Sequence, residues 1–139
     1  MNDGIGAIRD WLAAQPAIVA LVADRIYINR LPRSVIEAED TYRPRKMLVI
    51  QQFGGIGRAD YLALDNLDIN ILCYGETDLE ADKVRREAWD AMRLLSRVRQ
   101  NNVLIHHINP VSGPTPSRDP DIVWPIITQS FQTLTATEV

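Results

Sequence analysis

The run "NLDINILCYGETDLEADKVRREAWDAMRLL" changes its hydrophobic period at Gly75. Before that glycine, Leu67, Ile69, Ile71 and Cys73 alternate with Asp68 and Asn70. A period of two gives a strand with one buried and one wetter face, as antiparallel sheets allow. After it, Ala81, Val84, Ala88, Ala91, Leu95 and Val98 recur every three or four residues, the stripe of a helix laid on a sheet. Thr77-Asp78-Leu79-Glu80 reads as a capping box, so the helix starts there. Asp82, Arg86, Asp90, Arg93 and Arg97 fall on the opposite, solvated face, where i,i+4 pairs of opposite sign add about 0.2–0.5 kcal/mol each.

The remaining segments fit the same two-layer plan. "DGIGAIRDWLAAQPAIVALVAD" spaces Ile5, Ile8, Trp11 and Leu12 as a helix, and Pro16 breaks it before a short helical tail. "RIYINRL", "MLVIQQF", "NVLIHHI" and "IVWPIITQSFQTLT" read as strands; the second stops at Gly54-Gly55, where a turn or bulge is expected. Pro32 to Lys46 reads as a polar loop that holds an acidic and a basic patch. The resulting class is α+β: a single domain over residues 1–139 with a mostly antiparallel sheet, helices packed on one face and a long loop between the last two strands. That loop, "PVSGPTPSRDPD", holds four of the chain's eight prolines, and a fifth, Pro125, follows in the strand after it. Proline removes a backbone donor and fixes φ, so Pro110 to Asp121 is expected to project without pairing as a strand and to dock onto another protein.

Composition narrows the function classes. With 46% hydrophobic and 24% charged residues the chain has enough apolar surface for one core and is neither disordered nor fibrous. Its longest apolar run, Ala17 to Ala23, is far short of the roughly 18 residues needed to span a bilayer, so no membrane partner is expected. The net charge of −3 gives no overall attraction to nucleic acid. Cys73, the one cysteine, sits on the apolar face of its strand and reads as buried and inert.

No catalytic constellation emerges, and neither a cofactor nor a metal is expected. Gly54, Gly55 and Gly57 match neither dinucleotide nor Walker spacing. His106 and His107 are adjacent in a strand, so they point to opposite faces, with His107 on the face of Val103 and Ile105. The carboxylate pairs Glu37/Glu39 and Asp119/Asp121 lie in polar loops where nothing predicts burial.

"PAIVALVADRIYINRLPRS", "MLVIQQFGG", a strand ending in "CYG" before an arginine-rich helix, and "DPDIVWPIITQSF" together resemble the tail completion, or tail terminator, proteins of tailed bacteriophages. The resemblance runs from about Pro16 to Leu134, and its most specific pieces are Arg25-Ile26-Tyr27, Leu31-Pro32 and Trp124. It implies a non-enzymatic virion protein, assembled in the host cytoplasm, that forms a hexameric ring at the head-proximal end of the tail tube. Such a ring ends tube growth, joins the head connector and lets DNA pass through its lumen without sequence-specific binding. Partners would be further copies, the tail tube protein and the neck. The clusters Glu37, Glu39, Asp40 and Arg43, Arg45, Lys46, with Arg58 and the loop residues Pro114, Pro116, Arg118 and Asp119, are the expected subunit and partner contacts.

Three other readings remain open on the residues. Another neck or tail structural protein fits the same composition. A small enzyme or ligand-binding domain would need a pocket with convergent polar groups. A nucleic-acid module could use Arg86, Arg93, Arg97 and Arg99 on the long helix, but Asp82, Glu87 and Asp90 are interleaved there.

Overall fold

The alternating run becomes the middle of the sheet. In the computed structural model, which describes residues 4–38, 44–54, 64–100, 103–111, 113–118 and 124–137, strand β3 (Leu64–Tyr74) pairs antiparallel with β7 (Pro125–Thr137) from Leu64↔Ala136 to Tyr74↔Ile126. Strand β2 (Met47–Gly54) runs antiparallel on the other side of β3, with a bulge between Gln52 and Gly54 where the sequence turns to glycine. Beyond it, β1 (Ile26–Ile28) is parallel to β2, the one parallel pairing among the described strands. β5 (Val103–Pro110) and then β4 (Val98–Gln100) complete the order β1-β2-β3-β7-β5-β4, with β6 (Thr115–Arg118) pairing β7 off that path.

Three of the helices follow the expected pattern on one face, and a fourth departs from it. α1 (Gly4–Ala13) and α2 (Pro16–Val22) meet at Pro16, which sits in the first turn of α2, where its missing N–H costs nothing. α4 (Asp78–Arg93) starts at Thr77, whose hydroxyl accepts from the Glu80 amide at 3.3 Å. It buries Ala81, Val84, Ala88, Ala91 and Met92, and Leu95 just past its end is also fully buried. From Val84 onward these side chains form one core with Leu48, Ile50, Ile69, Ile71, Cys73, Ile105 and Phe131 of the sheet and Ile8, Leu12, Ile18 and Val22 of α1 and α2. The Trp11 indole donates to the Ala91 carbonyl at 3.0 Å and ties α1 to the end of α4.

The other face of the sheet carries a second, smaller core. Leu31, Met47, Val49, Tyr74, Trp124 and Ile126 are buried there, with Val35 and Ile36 packed against them. The last two belong to α3 (Arg33–Ala38), a helix inside the segment read from sequence as a polar loop. Pro32 ends one segment and its carbonyl accepts from Val35 and Ile36, so the proline begins a helical turn here.

Three further expectations are corrected. The prolines do not keep the segment after Pro110 from pairing: Thr115–Arg118 pairs with β7 from Thr115↔Thr128 to Arg118↔Pro125. β6 is an edge strand, the place where a missing donor is tolerated, and Pro116 can leave its donor-less nitrogen on the open side. Arg97 and Arg99 are not on the long helix, which ends at Arg93; Arg97 turns the chain with φ 62° and Arg99 lies in β4. His107 does not share the buried face of Val103 and Ile105, because a bulge between Ile105 and His107 shifts the alternation and leaves His107 exposed.

Candidate assembly surfaces

No reactive centre comes with this fold among the described residues. Cys73 is fully buried, and burial pushes its thiol well above the ordinary range, which leaves an inert sulfur in the core. No group of three or more metal-ligating side chains gathers among the described residues. The His107 ring meets the Asn109 amide at 3.1 Å on the exposed surface.

The first surface feature is a charged cleft of about 460 Å³ between the end of α2, the segment Pro44–Lys46 and the start of α4. Arg25 holds its floor by donating to the Lys46 carbonyl at 2.9 Å. Lys46 crosses to Glu80 at 2.9 Å, and Lys83 reaches the same carboxylate at 3.3 Å. Those two ammonium groups, Lys46 first, hold the Glu80 carboxyl below the ordinary glutamate range. The cleft therefore combines both signs of charge at a junction of three segments.

A second feature is an open groove of about 1030 Å³ on the face that carries the smaller core. Ile28, Leu31, Ile36, Leu72 and Ile126 give it an apolar floor, while Arg30, Arg33, Gln51 and Ser117 stand among its polar lining. Tyr74 and Trp124 meet edge to face beneath it, with ring centres 6.3 Å apart. The groove is the side of the sheet that α1, α2 and α4 do not cover.

The residues singled out from sequence fall in several places. Glu37, on α3, pairs with Arg33 at 3.0 Å, both exposed. Lys46 is committed within the chain to Glu80, whereas Arg45 lines the charged cleft on the exposed surface. Pro114 is exposed after the end of β5 and Pro116 is exposed on β6, the strand that ends at Arg118. Glu39, Asp40, Arg43, Arg58 and Asp119 lie outside the described residues. The groove itself was missed. Its signal was the spacing of Leu31, Val35 and Ile36 behind Pro32, which marks an amphipathic turn rather than a polar loop.

No known family model matches the chain, and no curated protein matches it in sequence. Among solved structures, a chain described as "Virion of native gene transfer agent (GTA) particle" superposes with a TM-score of 0.67 at 13% sequence identity. The match covers 94% of this chain and 92% of the other, so it takes in the sheet and both of its faces. What the two chains share is the fold.

Proposed function

We propose that this chain is a virion structural protein of a tail-terminator-like kind, acting as one domain over its 139 residues. The observation that carries the reading is the near end-to-end likeness of fold to a chain of a gene transfer agent virion. In the finer reading the copies form a hexameric ring on the head-proximal end of a tail tube, end its growth and present a surface to the head connector. DNA then passes through without a tight phosphate grip, because each neutralised phosphate would add salt-dependent affinity. The exposed Arg45 and the β6 residues Pro116 and Arg118, with Pro114 before them, are proposed contacts to other virion proteins.

Electron microscopy of tail tubes grown with and without the purified protein tests this. Tubes of uniform length with closed rings at one end are the expected result. Tubes that bind the protein along their sides with no control of length point instead to another neck or tail component. Tubes that neither bind it nor change in length overturn the virion reading.

A further inference from the structure

From Trp11 to Ala23 the chain carries no charged side chain, and α2 within that span is apolar at every position. A helix apolar on all sides belongs inside a protein. Yet only Ile18 and Val22 of α2 are buried, while Pro16, Ala17, Val19 and Ala20 are exposed, Val19 by 42%. Leu94, 68% exposed at the end of α4, adjoins Pro16 and Ala17 across a small groove and extends the same uncharged surface. Interface centres are depleted of charge in this way, whereas a solvated helix face is not.

On the opposite side of the sheet lies the large groove with its apolar floor. The two surfaces differ in the sign of their rims. Glu87 and Asp90 border the start of α2, and neither makes an ion pair with a described residue. Arg30 borders the groove and gives its rim a positive charge, while Arg33 beside it is already paired with Glu37. A protruding uncharged helix with an acidic rim and a concave apolar floor with a basic rim are complementary in shape and charge.

We infer that α2 of one copy seats in the groove of the next copy of this chain. The two patches lie on opposite faces of one sheet, so they cannot meet within a chain. Each copy then offers its helix to one neighbour and its groove to another, a head-to-tail contact that closes into a ring or runs on as a filament. The inference names the partner in the ring reading and rests on that reading only for closure.

Cysteine cross-linking tests it, with Cys73 silent because it is fully buried. Ala17→Cys places a thiol on the helix surface and Ser117→Cys places one in the groove, both at exposed positions that leave the circular-dichroism spectrum unchanged. A mixture of the two single variants is expected to form cross-linked dimers, the doubly substituted chain a ladder, and either single variant alone neither. Val19→Asp added to the double variant should abolish the ladder. Dimers of Ala17→Cys alone would mean that α2 packs on itself about a two-fold axis, and a chain that stays monomeric to millimolar concentration would exclude the contact; either overturns the inference. A ladder without tube capping sinks the ring reading and leaves the contact standing. Capping without a ladder does the reverse.

Discussion

Gly75, the residue at which the hydrophobic period changes, also lies directly against the start of α4. A Cβ there would stand 2.6 Å from the Ala81 amide nitrogen and 3.0 Å from the Glu80 carbonyl carbon, and backbone atoms of a capped helix cannot step aside. Gly75→Ala is expected to cost about 1–3 kcal/mol, as overpacking does, and to lower the melting temperature by several degrees. Gly113 is the internal control: nothing lies within 4 Å of its added Cβ, so Gly113→Ala should leave the melting temperature unchanged. Glu80 makes a second prediction at this scale. Its folded pKa is held below the ordinary value by Lys46 and Lys83, so the bridge stabilises the fold above the glutamate range and is lost as pH falls through the depressed value. In urea titrations, wild type and Glu80→Gln should differ most near neutral pH and converge in acid. A difference that persists below the glutamate range would mean that the bridge contributes nothing through its charge.

At the scale of elements, α4 and the turn after it put the helix stripe to the test. Leu95 is fully buried in the main core, and Leu95→Ala should cost about 2–5 kcal/mol, whereas the exposed Arg93→Ala should stay within about 0.5 kcal/mol. Equal effects would mean that the wrong face is buried. Edge strand β6 gives the complementary case. Pro116 cannot donate to a further strand, which blunts the open edge, so Pro116→Val should keep the fold and raise light scattering on concentration. Long periodic elements were the legible part of this fold. β3, β7 and the start of α4 follow directly from spacing and from Thr77, because each makes many repeats of one signal. Short elements were not legible. β4 was lost because Val98 continues the three-and-four spacing of the helix past the left-handed turn at Arg97, and no pattern of side chains reports that backbone reversal. α3 and β6 were lost because Pro32, Pro114 and Pro116 read as breakers, although one proline begins a helix and another sits on a sheet edge. The groove depends on both of these elements, so it was invisible until they were placed.

At the scale of the whole molecule, two forces compete to hold copies together, and salt separates them. The opposed clusters read from sequence favour charge pairing, but Lys46 already holds Glu80 and Glu37 already holds Arg33 within the chain. Exposed pairs of this kind are worth about 0–1 kcal/mol, and the screening length shrinks from about 10 Å at 0.1 M salt to about 3 Å at 1 M. The uncharged surface of α2 carries no such dependence, since apolar burial is not weakened by salt screening. If α2 is the centre of the contact and the acidic Glu87/Asp90 rim and the basic Arg30 only steer it, added salt should slow association several-fold and leave dissociation nearly unchanged. Val19→Asp should do the opposite and speed dissociation at every salt concentration. Stopped-flow light scattering of concentration jumps and dilutions measures both rates. Dissociation that accelerates steeply with salt, with Val19→Asp indistinguishable from wild type, would return the contact to the charged clusters and leave the exposed face of α2 for another partner.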